Sequence, residues 1–268
     1  MNNRFLVQLL TSRRNYDVAE ILHGKEMLSY LVTDFYRTFL SKYIKKIFPL
    51  YHPAAVIYNS SDVYSSGIYQ TFATEAANQG FEIVAAEAFT EDSKTDFSVQ
   101  LQKAKDGGAE LVFLPIYYTE ASLILTQANS MGYAPTFFGC DGLDGLLAVK
   151  NFDTKLADGV MLLTPFAADA ADEKTQAFVS AYKEAYGDTP NQFAADTYDA
   201  IYIMKAAAEK AGVTADMNVS DICDAMKTAM TEISYDGLTG EGMTWTADGE
   251  PDKAPKAVVI KDGAYTAM

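Results

Sequence analysis

The chain of 268 residues is poor in the side chains on which most metal and catalytic sites depend, with two cysteines and two histidines. Cys140 and Cys223 lack the spacing of metal ligands and are too few to build a disulfide-rich scaffold. We interpret both as small buried residues that pair only if the fold brings them together. His23 and His52 both precede the first predicted strand, so a Ser–His nucleophile is not expected in the region that follows.

The sequence also lacks the short motifs of common enzyme classes. There is no Gly-x-Ser-x-Gly elbow, no Gly-rich phosphate loop with a lysine and no His-Glu-x-x-His motif. Asp92 and Asp96 are paired carboxylates, but their place in a loop fits helix initiation better than acid–base catalysis. We therefore predict no enzyme, no cofactor and no metal site. The alternative that the protein is an enzyme requires the N-terminal segment to bring His23 or His52 to the crevice at the carboxyl ends of the predicted strands.

Positive charge and long apolar runs are scarce as well. The 21 Lys and Arg against 36 Asp and Glu give a net charge of −15. Nucleic acid is not an expected partner, because phosphate binding needs clustered cations. No run approaches the roughly 20 apolar residues of a membrane span. Phe5–Leu10 is too short for the core of a signal peptide, and the basic pair Arg13 and Arg14 follows it, so no export signal is predicted.

The first 50 residues differ in charge from the rest of the chain. Residues 1–50 contain eight Lys or Arg and four Asp or Glu, a balance of +4, which leaves −19 for residues 51–268. Apolar residues recur at three- and four-residue spacing through 15–48 and predict helix, with lysines on the opposite side. Pro49 and Pro53 end this pattern. A basic helix of this kind packs on the protein or contacts a membrane surface, and we favour packing.

From residue 54 onward, short apolar segments alternate with amphipathic segments. The short segments predict strands and the amphipathic ones helices, a pattern typical of β–α–β units with a parallel sheet. The predicted fold class is therefore α/β, with a doubly wound parallel sheet. The predicted strands are Ala54–Tyr58, Glu82–Ala86, Leu111–Pro115, Thr136–Gly139 and Val160–Thr164.

Helix and turn signals fill the intervals between and beyond these strands. Thr119 is the predicted N-cap of the helix after the third strand. Leu143–Val149 is predicted as a short helix after the fourth. Beyond residue 164, helices are predicted over 172–186, over 192–210 and from Ser220. Asp-Gly pairs mark tight turns around predicted strands at Met243–Thr246 and Ala257–Ile260, and the final piece is long enough to return to a sheet.

Three candidate ligand-binding residues follow predicted strands, where open parallel sheets bind their ligands. Tyr64 lies in the loop after the first strand, Tyr117 follows the third, and Asp141 lies between Gly139 and Gly142 after the fourth. The Asp141 carboxylate suits a ligand ammonium, although an Asp here fits a helix N-cap or Asx turn equally well. A tyrosine offers a hydroxyl or a ring face to a cation, although packing is the commoner role. We predict a small polar-ligand site formed by these three residues.

Five segments in order carry a resemblance to a known family. They are AAVIYNSSDVYSSG (54–67), TDFSVQLQKAKDGGAELVFLPIYYTEA (95–121), TQANSMGYAPTFFGCDG (126–142), ADTYDAIYIMKAAAEKAG (195–212) and YDGLTGEGMTWTADGEP (235–251). Residues 54–268 resemble the type I periplasmic binding proteins, in the leucine/isoleucine/valine-binding branch that feeds ABC importers. The resemblance implies the periplasmic-binding-protein-like I fold, in which two α/β lobes joined by a hinge close over a free amino acid.

The resemblance also implies a role for each candidate residue. The loop tyrosine of the family falls on Tyr64, its strand-end tyrosine on Tyr117, and the acid that holds the ligand α-ammonium on Asp141. The usual Glu is an Asp here, one methylene shorter, so its reach and ligand preference differ. The implied function is that of the substrate-binding component of an ABC-type importer of a branched-chain or similar amino acid. A free amino acid and an ABC permease are the implied partners, and the implied location is periplasmic or at the cell surface.

The resemblance covers one lobe better than the other. Residues 54–163 with 256–268 resemble a complete lobe, and residues 164–255 resemble the remnant of a second. Residues 1–53 do not match the opening half of the family's first lobe, which carries the Ser and Thr residues for the ligand carboxylate. We therefore expect weak or lost binding. The alternative is a ligand-sensing regulatory module on the same fold, which a DNA-binding helix-turn-helix or membrane anchor at the N-terminus would favour.

Overall fold

A computed structural model describes residues 53–254 and 256–268 of the protein. The helix predicted over 15–48 and both histidines lie outside these residues. In the described part of the chain, no helix combines the length and the apolar character that a membrane crossing requires.

Seven strands form one sheet, in the order β2-β1-β3-β4-β5-β6-β7. The first five strands pair in parallel, and the last two join the sheet in antiparallel fashion. The predicted α/β class with a parallel sheet is confirmed, and the antiparallel end adds to it. The strands are β1 (Ala54–Asn59), β2 (Ile83–Phe89), β3 (Leu111–Leu114), β4 (Thr136–Gly139), β5 (Met161–Thr164), β6 (Lys256–Lys261) and β7 (Ala264–Ala267).

The antiparallel end depends on a two-residue turn between β6 and β7. Asp262 and Gly263 have φ angles of 50° and 75°. A hairpin turn of type I′ needs positive φ at both central residues, and Asp-Gly is one of the pairs that adopt it most readily. The tight turn predicted from this Asp-Gly pair is therefore present and returns the chain beside β6.

Six α-helices are found in the described residues, and most begin at a side-chain cap. The caps of four helices, Asp62, Asp172, Asn191 and Asn218, each accept a hydrogen bond from a backbone N–H in the first turn. Such caps satisfy donors that have no partner within the helix. The helices are α1 (Val63–Gln79), α2 (Ser98–Asp106), α3 (Tyr118–Ser130), α4 (Glu173–Tyr186), α5 (Gln192–Lys210) and α6 (Val219–Met230).

Helices cover both faces of the sheet, as in a doubly wound fold. In β1, Ala54 and Val56 pack with side chains of α1, whereas Ala55 and Ile57 pack with side chains of α2 and α3. All four residues are fully buried. Burial on both faces explains why the sequence of this strand is apolar at successive positions rather than at alternate ones.

The predicted start of the third helix is wrong by two residues. The N-cap of α3 is Tyr117, whose side chain makes no capping hydrogen bond, and Thr119 lies within the first turn. Strand β3 ends at Leu114, so the chain enters the helix within three residues. This short connection fixes the place where the helix begins and brings Tyr117 to the end of the strand.

The helix predicted over Leu143–Val149 is also wrong. The chain forms two separate 3-10 turns, Asp141–Leu143 and Leu146–Ala148. Gly145 between them has a φ of 107°, a conformation that interrupts any α-helix. The strand predicted over Met243–Thr246 is reduced to single bridges, in which Met243 pairs with Tyr235.

Residues 165–254 hold helices α4, α5 and α6, and α4 and α5 contribute to a small apolar cluster. The cluster contains Phe166, Val179, Ala195 and Leu238. Large side chains on the outer surface of α4 and α5 stay accessible to solvent, among them Tyr186, Ile201 and Tyr202. The division into a lobe of 54–163 with 256–268 and a remnant of 164–255 stays a proposal.

Candidate functional site

The sheet topology brings the ends of β1, β3 and β4 to one edge. These strands are neighbours in the sheet and run in parallel. Tyr64 is the second residue of α1, which follows β1. Tyr117 is the residue that precedes the first turn of α3 after β3, and Asp141 follows β4 by two residues. The three residues predicted from strand ends therefore meet at the carboxyl edge of the sheet.

The Tyr64 hydroxyl bonds directly to Asp141. It donates to Asp141 Oδ1 at 2.8 Å and accepts from the Gly142 N–H at 2.9 Å. Gly142 has no room for a side chain, because a Cβ there would lie 2.5 Å from the Ile116 carbonyl oxygen and 2.9 Å from the Tyr64 hydroxyl. Glycine at this position therefore lets the Asp141 loop approach both α1 and the end of β3.

Tyr117 joins the same group through its ring. Its ring stacks on that of Tyr64, with centroids 5.1 Å apart and an interplanar angle of 26°. It stays 41% exposed, which is high for a large aromatic side chain. A partly exposed ring that is fixed by stacking can cover a bound molecule without losing its position. The structure thus places an acid and two phenols together, and their role in ligand binding stays a prediction.

Gln192, the first residue of α5, also contacts Asp141. Its Nε2 donates to the Asp141 carbonyl oxygen at 2.9 Å and to Oδ2 at 3.3 Å. Its backbone N–H donates to Asp144 Oδ2 at 2.7 Å. Gln192 is almost fully buried, and its Oε1 has no hydrogen-bond partner in the described residues. Because both atoms facing Nε2 are acceptors, the amide nitrogen must point toward Asp141.

Gln192 and Asp144 were not predicted from the sequence. Gln192 lies far beyond the last strand-end candidate along the chain and reaches the site only because α5 docks on the end of the sheet. Asp144 is close to Asp141 in sequence, but it is buried and binds the backbone of Gln192. A polar residue next to a predicted helix cap is the only signal that could have indicated Gln192.

Burial controls the electrostatics of the site. It raises the pKa of Asp141 to about 6, whereas the hydrogen bond from Gln192 and the positive charge of Lys253 lower it. Burial also raises the pKa of Asp144 to about 6, with the N–H of Gln192 acting in the opposite direction. The pKa of Tyr64 is raised well above its ordinary value, chiefly by burial, so the hydroxyl keeps the proton that it donates to Asp141. At neutral pH the site therefore presents a carboxylate with aromatic neighbours.

The chemistry of this arrangement suits a cationic group. A carboxylate with an aromatic wall attracts an ammonium group through charge-assisted hydrogen bonds and ring contact. Within residues 53–254 and 256–268, no group of three or more His, Cys, Asp or Glu side chains is arranged to hold a metal ion. Cys140, directly before Asp141, is buried as predicted, and burial raises the pKa of its thiol well above the ordinary value. The prediction of a buried Cys223 is wrong, since this residue of α6 is exposed.

A sequence model described as "Periplasmic binding protein" matches residues 41–264. The match begins within the N-terminal segment 1–53 and continues almost to the end of the chain. The proteins of this family bind solutes and are not enzymes.

Two curated proteins illustrate the similarity in sequence. The chain is 26% identical over 149 residues to the leucine-, isoleucine-, valine-, threonine- and alanine-binding protein of Pseudomonas aeruginosa, covering 56% of this chain and 39% of that protein. It is 27% identical over 210 residues to the Leu/Ile/Val-binding protein BraC3 of Rhizobium johnstonii, covering 75% and 54%. The chain thus spans about half the length of these relatives or less.

Solved structures extend the comparison to the fold. The leucine-binding protein LivK of Thermotoga maritima matches with a TM-score of 0.74 at 22% identity, covering 88% of this chain and 65% of that one. The branched-chain amino acid substrate-binding protein LivJ of Streptococcus pneumoniae, in complex with isoleucine, matches with a TM-score of 0.71 at 27% identity, covering 87% and 63%. Both confirm the α/β architecture predicted from the sequence.

Proposed function

Because this chain belongs to the periplasmic binding protein family, we propose that it is the substrate-binding component, or part of it, of an ABC-type amino-acid importer. Relatives that are named for leucine, isoleucine and valine support a free amino acid as the ligand class. An ABC permease is the proposed partner, and the proposed location is extracytoplasmic, at the periplasm or the cell surface. Neither catalysis nor a cofactor enters this function.

The observation that carries the proposal is the convergence of Asp141, Tyr64 and Tyr117. Asp141 would accept hydrogen bonds from the ligand α-ammonium, and the two stacked phenols would form the pocket wall. Tyr64 and Gln192 already orient both carboxylate oxygens, so little conformational freedom is lost when the ligand arrives. Desolvation on closure would strengthen each of these contacts.

We also propose that the chain binds its ligand weakly or not at all. The groups described at this site suit the ammonium end of an amino acid, whereas the carboxylate end requires donors of its own. A ligand held at one end loses the entropic advantage of a second anchor.

Titration of the 20 standard amino acids tests both proposals, by calorimetry for tight binding and by ¹H–¹⁵N NMR for weak binding. We expect binding to require the free α-ammonium, so N-acetylated forms should not bind. Asp141→Asn should weaken binding at least about tenfold, because a hydrogen bond to a charged group contributes about 1.5–3 kcal/mol. Micromolar binding of an unmodified amino acid would refute the proposal of weak binding and leave the proposal of an amino-acid receptor intact.

The control variant is Asp224→Asn, which removes an equal charge from the exposed face of α6. It should leave binding unchanged. Binding of amino acids that responds equally to both substitutions would contradict the role of Asp141, because only a general effect of net charge would then remain.

A further inference from the structure

A cavity of about 310 Å³ opens beside Tyr117, at the carboxyl ends of β1 and β3. Strand β2 lies on one side of β1 and β3 on the other, so the chain changes direction across the sheet at this point. An open parallel sheet leaves a crevice where its strand order reverses in this way. The first turns of α1 and α3 and the loop after β2 complete the wall.

The wall of this cavity carries more negative than positive charge. Asp62, Glu91 and Glu120 line it, against the single ammonium of Lys94. Glu91 is well partnered, since Lys94 Nζ lies 2.7 Å from its Oε2 and Asn59 Nδ2 donates to its Oε1 at 2.6 Å. Asp62 accepts the capping N–H of Ser65 and has no cation beside it among the described residues, and Glu120 has only a longer contact with Lys94, so the wall keeps a net charge of −2.

Glu120 is the most buried of the three acids, with 9% of its surface exposed. Lys94 Nζ, its nearest cation in the described part of the chain, is 3.7 Å from Oε1, which is longer than a charge-assisted hydrogen bond. The position of Glu120 in the first turn of α3 favours a negative charge but does not require burial against a cavity. A buried carboxylate that shares one partly exposed lysine with Glu91 is only partly compensated for its desolvation, and a bound cation would offset the rest.

Aromatic rings complete a cation site. Phe89, Tyr117 and Tyr118 line the same cavity, and a cation within reach of a ring face is attracted to its negative potential. Tyr117 is shared with the site at Asp141, because its ring stacks on Tyr64, whose hydroxyl holds Asp141. A single extended ligand could therefore contact both.

We propose that this cavity binds an organic cation, an alkylammonium or guanidinium group, between Glu120, Asp62 and the ring of Tyr117. One possible origin of this cation is the side chain of a basic amino acid whose α-ammonium is held by Asp141, and this origin rests on the proposed function. The other possible origin is a free amine, and its binding does not depend on the proposed function. An aliphatic side chain in the cavity would exclude water from Glu120 without adding a positive charge beside it.

Three probes separate these origins in NMR titrations of the full chain up to millimolar concentration. L-Lysine carries both cationic groups, L-norleucine has the same carbon skeleton without the ε-ammonium, and n-butylamine represents the lysine side chain alone. We expect L-lysine to bind at least about tenfold more tightly than L-norleucine, the effect of one charge-assisted hydrogen bond.

Two substitutions act on the cavity in opposite directions. Glu120→Gln should remove the preference for L-lysine over L-norleucine and abolish binding of n-butylamine. Lys94→Gln should strengthen binding of n-butylamine, because it removes the one positive charge from the wall. Glu110→Gln is the control, since it removes the same charge from an exposed residue before β3, at the opposite end of that strand. It should change neither affinity.

The outcomes separate this proposal from the proposed function. If L-lysine and L-norleucine bind equally and n-butylamine does not bind, the cation site is refuted while the amino-acid receptor stands. If n-butylamine binds through Glu120 but no amino acid binds, the cation site is supported with a free amine as its ligand, and the proposed loss of amino-acid binding is supported as well. Binding of n-butylamine that is unchanged in Glu120→Gln would overturn the cavity assignment.

Discussion

At the scale of single residues, the orientation of the site is fixed by one hydroxyl group. The Gly142 N–H can only donate, so the Tyr64 oxygen must accept from it and direct its own proton to Asp141. Asp141 Oδ1 must therefore accept this hydrogen bond, whichever group contacts Oδ2. Both oxygens of Asp141 thus accept hydrogen bonds, Oδ1 from Tyr64 and Oδ2 from Gln192, even though burial raises the pKa of the carboxyl to about 6.

Tyr64→Phe should lower stability, because the substitution leaves the Gly142 N–H and one Asp141 oxygen without their partner. We expect the free energy of unfolding to fall by about 1–3 kcal/mol, the usual effect of an unsatisfied buried group. Urea denaturation measures the change. Tyr69→Phe is the matched control, since Tyr69 lies on the same helix and packs through its ring on Tyr58. Equal losses in both variants would show that the hydroxyl of Tyr64 has no special role.

Binding of an amino acid should weaken as the pH falls through the pKa of Asp141. The ammonium binds the ionised carboxylate, and the pKa of Asp141 in the folded protein is about 6 because of burial. Below that pH the carboxyl must lose a proton before it can bind, so affinity should fall up to about tenfold per pH unit. Titrations between pH 5 and pH 8 measure this slope. In Asp141→Asn the slope should disappear, and a slope that persists would assign it to another group.

Residues at strand ends were predictable, whereas residues that depend on docking were not. Asp141 and Tyr117 follow strands whose burial on both faces makes them apolar throughout, so the strand ends are visible in the sequence. Tyr64 follows β1 in the same way. Gln192 reaches Asp141 through the packing of α5 on the sheet, which no local pattern specifies.

At the scale of secondary-structure elements, the presence of each strand of the parallel sheet could be predicted from the sequence, whereas the residues at which the strands begin and end were harder to predict. Strand β4 has the predicted bounds, Thr136–Gly139, but β2 runs three residues beyond its predicted end at Ala86. Its outer residues include Glu87, which pairs with Lys103 at 2.8 Å. Because β2 is an edge strand, one polar residue, Glu87, belongs to it without disturbing the core, and this residue interrupts the apolar run before the true end at Phe89.

Helix α5 is joined to the chain after α6 by a buried carboxylate. Asp199 accepts hydrogen bonds from the backbone N–H of Leu238 and of Thr239, both at 2.9 Å, and from the Thr239 hydroxyl at 2.8 Å. It is 2% exposed. The loop after α6 therefore obtains its position from Asp199 of α5 together with the isolated bridges that Met243 and Trp245 form with Tyr235 and Pro251.

Asp199→Ala should release this loop. Three donors lose their acceptor, and we expect the free energy of unfolding to fall by about 3 kcal/mol, since hydrogen bonds to a charged group are strong but not additive. Hydrogen exchange of the Leu238 and Thr239 amides should accelerate at the same time. Asp224→Ala, on the exposed surface of α6, is the control and should change neither quantity. Protection of the two amides in Asp199→Ala would contradict the role of the carboxylate.

At the scale of the whole molecule, Asp144 contributes both to the negative charge of the chain and to the attachment of α5 to the end of the sheet. The chain carries a net charge of −15, and Asp144 adds a buried charge to that total with 5% of its surface exposed. It binds the backbone of Gln192 and thereby holds the first turn of α5 to the loop after β4. Burial raises its pKa to about 6, above its ordinary value of 3.8.

The stability of the protein should therefore depend on pH through Asp144. Its pKa is higher in the folded than in the unfolded state, so its contribution to stability is complete below about pH 4 and is lost as the pH rises to about 6. Asp144→Asn keeps an acceptor for the Gln192 N–H but carries no charge to desolvate. Relative to the wild type, the variant should gain stability between these pH values by up to about 3 kcal/mol, the equivalent of about 2 pKa units. Urea denaturation of both proteins at pH 4, 5, 6 and 7 measures the difference, and Asp224→Asn corrects for the change in net charge. A difference that stays constant over this range would mean that Asp144 keeps an ordinary pKa and that the joint to α5 tolerates its charge.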